Sequence, residues 1–188
     1  MALCDTPFYN IFKKILFLYL YNHSLRTPNQ QSYKLRRIIL LMLYLIGLGL
    51  NVDGISIFGL EIAKKCKKVY LENYTVDFPY SEGELRDKLG LKKILLADRN
   101  FIESEKIIDE ATKMDIALLV YGSPLTATTH ISLINEAKRL GVKYWILYNA
   151  SIIDAVAETG LQLYKFGKIT SMPEWKKNFT PDSFMDIV

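Results

Sequence analysis

Short apolar runs alternate with amphipathic segments along the chain from residue 42 onward. The apolar runs are short and unbroken, as is typical of strands buried on both faces, and they cover residues 43–48, 69–71, 93–97, 116–121 and 142–148. Helical patterns fill the intervals, many with a capping residue at one end, and they cover residues 56–67, 81–90, 102–113, 129–140 and 151–158. This alternation predicts an α/β fold with a mostly parallel five-stranded sheet and helices on both faces.

A parallel sheet places its ligand sites beyond the carboxyl ends of its strands. Three predicted loops occupy that edge, namely residues 47–50, 122–130 and 149–152. The first two contain glycines, which allow the backbone to approach a ligand closely. The second loop also carries four hydroxyl side chains: Ser123, Thr126, Thr128 and Thr129. The pattern therefore predicts a binding site formed by these loops.

The composition excludes several classes of protein. Half of the 188 residues are hydrophobic and 23% are charged, which fits one globular domain and argues against intrinsic disorder. No run of about 18 uncharged apolar residues occurs, so we expect no membrane-spanning helix. Two cysteines and two histidines are too few for a disulfide framework or a Cys- or His-based metal site. We therefore expect a cytoplasmic protein that binds no metal and no membrane.

The positive charge of the chain is unevenly distributed. Residues 1–41 contain six basic residues and one acidic residue, a net charge of +5, whereas residues 42–188 contain 18 basic and 19 acidic residues, a net charge of −1. A nucleic-acid-binding domain needs its positive charge on a folded surface. We therefore expect no nucleic-acid partner.

Residues 1–41 differ from the remainder in pattern as well as in charge. An apolar, aromatic-rich run at 15–21 follows Lys13 and Lys14, which resembles a weak signal sequence or a short membrane-surface helix. No clear small-residue cleavage site follows it. The break in composition favours a third interpretation, in which residues 1–41 are a loose tail or a start-site artefact and Met42 is the true start.

No single motif identifies a reaction. Gly47 and Gly49 begin a dinucleotide-binding pattern that Val52 leaves incomplete, so a plain tight turn explains them equally well. A lone histidine such as His130, near a helix start, is more often a hydrogen-bonded structural residue than a base. The carboxylates lie at helical spacings that suit a solvated surface, and the lysines at 64–68 suit the end of a helix. The residues alone therefore predict an α/β domain that binds a small organic molecule at its strand ends.

Five stretches of the chain carry a family resemblance. They are Met42-Leu-Tyr-Leu-Ile-Gly-Leu-Gly-Leu50, Gly59-Leu-Glu-Ile-Ala-Lys-Lys-Cys66, Gly122-Ser-Pro-Leu-Thr-Ala-Thr-Thr-His130, Asn149-Ala-Ser-Ile152 and Gly160-Leu-Gln-Leu-Tyr-Lys-Phe-Gly167. With these stretches the chain resembles the diphthine synthases, which are methyltransferases of the tetrapyrrole-methylase-like superfamily. The resemblance covers residues 42–188 and none of residues 1–41.

The resemblance implies a function. The methyl donor would be S-adenosylmethionine, and the acceptor would be the amino group of the 3-amino-3-carboxypropyl histidine of elongation factor 2. Carried over by position, the cofactor contacts would be Leu50, Ser123, Thr126, Ser151 and Ile152. The resemblance names no catalytic residue, and His130 stays open as a candidate. It also implies a homodimer.

The chain departs from the family pattern at two points. The family usually has Gly-Asp-Pro where this chain has Gly122-Ser123-Pro124, and we expect the serine to lower cofactor affinity. Family members also carry a second α/β domain. We therefore expect a cofactor-binding domain at 42–150, a helix and linker at 151–188, and a second domain supplied by a separate polypeptide or lost by truncation. The alternatives are a fragment without catalysis and a methylase of the same fold that acts on a porphyrinoid.

Overall fold

The computed structural model describes residues 41–165 and 167–187. Spatially, the chain divides into two units, Met1–Ile38 and Ile39–Val188. The expectations for the amino-terminal extension fall on residues 1–41, of which residues 1–40 lie outside the described residues. The fold described below belongs to the second unit.

The second unit contains a five-stranded sheet. Its strands are β1 (Met42–Gly47), β2 (Lys68–Glu72), β3 (Leu95–Ala97), β4 (Ile116–Val120) and β5 (Lys143–Leu147). The spatial order is β3-β2-β4-β1-β5, and all four pairings between neighbouring strands are parallel. The predicted sheet is therefore confirmed, and its named strands are all parallel.

Helices lie between the strands along the chain. They are α1 (Ile57–Lys65), α2 (Glu82–Leu89), α3 (Arg99–Glu103), α4 (Lys106–Ala111), α5 (Ile131–Leu140) and α6 (Ile152–Ala155). Serines begin two of these helices as predicted, because Ser56 Oγ accepts from Gly59 N at 3.0 Å and Ser81 Oγ accepts from Glu84 N at 3.1 Å.

Alternate residues of the strands point to opposite faces of the sheet, and helices cover both faces. On β4, Leu118 belongs to one hydrophobic cluster with residues of α3, α4 and α5. Its neighbour Leu119 belongs to a second cluster with residues of α1 and α2. Both leucines are fully buried, which explains why the strand is a continuous apolar run. The predicted arrangement of helices on both faces is confirmed.

The single helix predicted at 102–113 is wrong. The chain begins α3 earlier, because the Asp98 carboxylate accepts from Phe101 N at 2.7 Å and caps the helix. It then breaks at Glu105, whose φ of +59° lies in the left-handed region and interrupts the helical path before α4. Helix propensity gave no sign of this break, because glutamate is a good helix former.

Other predicted ends shift by a few residues. Of the helix predicted at 151–158, only the first turn, α6, is α-helical. The chain continues as a 3₁₀ helix, Val156–Thr159, which ends at Gly160 with a φ of +85°. The helix predicted from residue 129 begins at Ile131, and the strand predicted from residue 93 begins at Leu95. Helix ends fray toward 3₁₀ geometry, so sequence patterns fix them poorly.

The segment after α6 buries little of its surface. Beyond the 3₁₀ helix that ends at Thr159, its described residues form two further short 3₁₀ turns, Leu163–Lys165 and Ser183–Asp186. Large apolar side chains in it are exposed: Leu161, Tyr164, Ile169, Met172, Trp175, Phe179, Met185 and Ile187. Among the described residues, no helix has the length and apolar character needed to cross a membrane.

Candidate functional site

The three loops predicted to form a site lie side by side. β1 occupies the position between β4 and β5 in the parallel sheet, so the carboxyl ends of these strands meet at one edge. The loops that begin at Gly47, Gly122 and Asn149 leave the sheet there. The topology therefore brings the predicted loops to one place.

Two glycines join the first loop to the second. Gly49 N donates to Gly122 O at 3.1 Å, and Gly122 N donates to Gly49 O at 2.9 Å. Both residues have a positive φ, +71° for Gly49 and +70° for Gly122, which other L-residues adopt at a cost. Glycine at these two positions is therefore explained by the backbone conformation of the site.

Gly47 lies where the backbones of the loops approach most closely. A Cβ atom on Gly47 would lie 2.7 Å from Gly122 O and 2.8 Å from Asn149 Cβ, both far inside van der Waals contact. The absence of a side chain at Gly47 therefore allows the three loops to meet.

The Asn149 side chain fastens the third loop to the first. Its Nδ2 group donates to Gly47 O at 3.0 Å and to Gly54 O at 2.8 Å. Its Oδ1 atom accepts from Ala150 N at 2.8 Å. The sequence singled out Asn149 only as part of a motif and did not predict this role; a short polar amide directly after a strand is the one signal that pointed to it.

The second loop is folded around the carbonyl oxygen of Pro124. Thr128 Oγ1 donates to this oxygen at 2.7 Å, and His130 Nδ1 lies 3.0 Å from it. A carbonyl oxygen can only accept, so Nδ1 carries the proton of this contact. His130 is fully buried, which supports the structural interpretation of this histidine over a role as base.

Ser123 and Thr126 occupy the start of the second loop. Thr126 N donates to Ser123 O at 3.1 Å, so the two residues lie in one tight turn. Ser123 is buried and Thr126 is half-buried. Within the described residues neither hydroxyl makes a hydrogen bond, so both can bind a ligand.

Ser151 and Ile152 follow the third strand of the site. Ser151 donates from both its backbone N and its Oγ to the same carboxylate oxygen of Asp154, at 2.6 and 2.9 Å. These bonds from Ser151, the backbone N–H first, hold the pKa of Asp154 below its ordinary value. The Ile152 side chain is 59% exposed, so it presents an apolar surface beside the loops.

The Leu50 carbonyl is held by the side chain that directly precedes the second loop. The Tyr121 hydroxyl donates to Leu50 O at 3.0 Å, across 71 residues of sequence. Leu50 itself is half-buried. In the sequence, Tyr121 stands out only as the end of an apolar run. No local pattern can indicate a contact between residues so far apart in the chain.

A buried carboxylate lies at the end of the neighbouring strand β2. Glu72 is fully buried and accepts from Tyr74 N, Thr75 N and Thr75 Oγ1 at 2.9, 2.8 and 2.6 Å. Glu72 therefore shapes the turn after β2, and sequence reasoning missed it. No group of three His, Cys, Asp or Glu side chains within 41–165 and 167–187 is placed to hold a metal ion.

The chemistry of the loops suits binding and orientation. The predicted contacts are apolar at Leu50 and Ile152 and hydroxyl-bearing at Ser123, Thr126 and Ser151, and none carries a charge. Backbone segments that contain glycine form the rest of this edge of the sheet. Such an arrangement can hold a small organic molecule in one orientation, and orientation alone can lower a barrier by several kcal/mol, about 7 in well-aligned cases.

Comparison with known proteins agrees with this geometry. Residues 42–182 match the model of the family described as tetrapyrrole (corrin/porphyrin) methylases. The chain is 48% identical over 149 residues to the diphthine methyl ester synthase of Saccharomyces cerevisiae, a match that covers 77% of this chain and 49% of that protein. The human diphthine methyl ester synthase is 44% identical over 150 residues, covering 78% of this chain and 52% of that protein.

Solved structures give the same result. A crystal structure of a diphthine synthase superposes with a TM-score of 0.63 at 39% identity, covering 67% of this chain and 51% of that one. The resemblance to the diphthine synthases is thus confirmed, and the chain spans about half the length of the curated relatives that it matches. Because the family model matches residues 42–182, we conclude that the chain belongs to the tetrapyrrole (corrin/porphyrin) methylases.

Proposed function

We propose that this chain carries the S-adenosylmethionine site of a diphthine synthase. The observation that carries the proposal is the convergence of three loops at the carboxyl ends of β1, β4 and β5, where the five predicted contacts lie. The names of the similar proteins support the same reaction.

The residues of the site fit an adenosyl-amino-acid ligand. Leu50 and Ile152 would pack against its apolar parts, while Ser123 and Thr126 would bind its polar groups. The glycines at 47, 49 and 122 let the backbones of the three loops meet closely at this site. A sulfonium donor is already activated, so the protein needs mainly to align the acceptor with the methyl group, which agrees with a site that has no assigned base.

The acceptor in this proposal is the amino group of the 3-amino-3-carboxypropyl histidine of elongation factor 2. The name of the curated relatives specifies a methyl ester, which extends the acceptors to the carboxylate of the same side chain. We propose a homodimer that acts in the cytoplasm, where elongation factor 2 works. The diphthine names of these relatives favour this acceptor over a porphyrinoid.

A second candidate function rests on the coverage of the relatives. The chain matches about half of their length, and we propose that the remaining half of the site comes from another domain or polypeptide. In that case the chain on its own would fold but would not bind the cofactor.

Calorimetric titration of the 188-residue chain with S-adenosylhomocysteine distinguishes these candidates. Micromolar affinity would mean that the three loops form a working site and that Ser123 is tolerated. A folded sample that does not bind would overturn the proposal for the isolated chain and would favour the second candidate. Circular dichroism of the same sample establishes that it is folded.

A further inference from the structure

The first loop of the site is fastened at its base by one side chain. Asn149 donates to Gly47 O and to Gly54 O, which lie on either side of the stretch that contains Leu50. These two bonds fix the ends of the stretch. They leave the position of Leu50, between the ends, to other contacts.

A different side chain fixes the middle of the same loop. The hydroxyl of Tyr121 donates to Leu50 O at 3.0 Å, and this is the hydrogen bond that the Leu50 carbonyl makes within the described part of the chain. Tyr121 directly follows β4 and directly precedes Gly122. The Gly49–Gly122 backbone pair already joins the Leu50 loop to the loop that carries Ser123, and the Tyr121 bond extends this connection by one residue to Leu50.

Two further rings restrain the Tyr121 side chain. The Phe78 ring lies 5.3 Å from the Tyr121 ring at 75°, an edge-to-face contact, and the Tyr80 ring lies 6.3 Å away at 48°. Phe78 and Tyr80 also contact each other edge to face at 5.4 Å and pack against the hydrophobic cluster beneath α1 and α2. Contacts with these two rings limit the movement of the Tyr121 ring and so keep its hydroxyl directed at Leu50 O.

We propose that Tyr121 is a positioning residue that holds Leu50 for the cofactor, with Phe78 and Tyr80 holding Tyr121. The inference rests on the proposed function, since it concerns the same site. Without the hydroxyl, the loop keeps the Asn149 bonds and the Gly49–Gly122 pair, but the Leu50 carbonyl loses its hydrogen bond. The ligand must then order the loop when it binds, which lowers affinity without abolishing it.

The test is Tyr121→Phe, which removes the hydroxyl and keeps the ring. Tyr70→Phe is a matched control, because the Tyr70 hydroxyl also makes a long-range bond, to Glu110 Oε2 at 2.8 Å, away from the three loops. We expect Tyr121→Phe to raise the dissociation constant of S-adenosylhomocysteine about three- to tenfold, the factor for one lost hydrogen bond. Tyr70→Phe should leave the constant unchanged.

Hydrogen exchange of the unliganded variants gives a second readout, because a general loss of stability would speed exchange throughout the fold and not in one loop alone. We expect faster exchange in residues 48–54 for Tyr121→Phe and unchanged exchange there for Tyr70→Phe. Wild-type affinity in Tyr121→Phe, or equal weakening in both variants, would overturn the inference. If the wild-type chain itself does not bind, the proposed function fails for this chain, and equal exchange in residues 48–54 of the wild type and Tyr121→Phe would then overturn the ordering of the Leu50 loop by Tyr121.

Discussion

The two ends of the parallel sheet are built from different side chains. At the amino end of the strands, the last turns of three helices carry cations, which suit the negative ends of the helix dipoles; these are Lys64 and Lys65 of α1, Arg86 and Lys88 of α2, and Lys138 and Arg139 of α5. At the carboxyl end, the loops of the candidate site carry glycines, hydroxyls and one amide. The site loops after β1, β4 and β5, at 47–50, 122–130 and 149–152, thus carry no Asp, Glu, Lys or Arg, whereas the carboxyl ends of β2 and β3 carry the carboxylates of Glu72 and Asp98.

The polar groups at the two ends also differ in their partners. At the amino end, Lys68 Nζ lies 2.8 Å from Glu110 Oε1, and burial, helped by Asp115, raises the pKa of the Cys66 thiol to about 12 and keeps it neutral. At the carboxyl end, the hydroxyls of Ser123 and Thr126 have no partner among the described residues. We infer that the side chains at the amino end stabilise the fold. At the carboxyl end Asn149 and Thr128 also stabilise the loops, and in the proposed function the hydroxyls of Ser123 and Thr126 are left for a ligand.

The substitution Gly47→Ala at the carboxyl end should have the largest effect. The new Cβ would lie 2.7 Å from a backbone oxygen, so the loops must separate. We expect a loss of about 3 kcal/mol of unfolding free energy in urea, the upper range for overpacking, and no detectable binding of S-adenosylhomocysteine.

Gly83→Ala is the control for that substitution. Gly83 lies in α2, and a methyl group added there would lie 3.9 Å from its nearest neighbours. Alanine at this position should stabilise the fold by up to about 1 kcal/mol through helix propensity and leave binding unchanged. A folded Gly47→Ala chain with wild-type affinity would contradict the assignment of the site to this edge.

The contrast between the ends explains which features the sequence could predict. The strand β4 was predictable because burial on both faces leaves a continuous apolar run, and the three loops followed from strand direction alone. The bonds of Asn149 and Tyr121 were not, since they join residues up to 102 positions apart and leave no local pattern. Glu105 was missed for another reason, because its left-handed backbone opposes the preference of its residue type.

Ser123→Asp should change affinity more than stability. A carboxylate at this position adds a charged acceptor for ligand hydroxyl or amino groups, and charge-assisted hydrogen bonds are about twice as strong as neutral ones. We expect S-adenosylhomocysteine to bind about three- to tenfold more tightly in a calorimetric titration, the effect of about one net hydrogen bond.

The matched control for this substitution is Ser123→Asn, which adds the same bulk without the charge. We expect little or no gain from it. Ser123 is only 6% exposed, so thermal unfolding of both variants should be measured to separate affinity from the cost of burying a larger polar group. Weaker binding by Ser123→Asp than by the wild type would count against Ser123 as a cofactor contact.

Glu110→Gln tests the amino end and should have the smallest effect. Burial favours the protonated carboxyl, but hydrogen bonds from Lys68 Nζ and the Tyr70 hydroxyl outweigh it, so the pKa of Glu110 is lowered in the folded state. The stabilisation is therefore complete above the unfolded pKa, about 4.3, and is lost as the pH falls through the lower folded value. We expect the variant to lose about 0.5 kcal/mol at pH 7, as for a partly exposed ion pair, and to approach the wild type below pH 4 in urea unfolding. Its affinity for S-adenosylhomocysteine should equal that of the wild type, and a weakened affinity would contradict the division of roles between the two ends of the sheet.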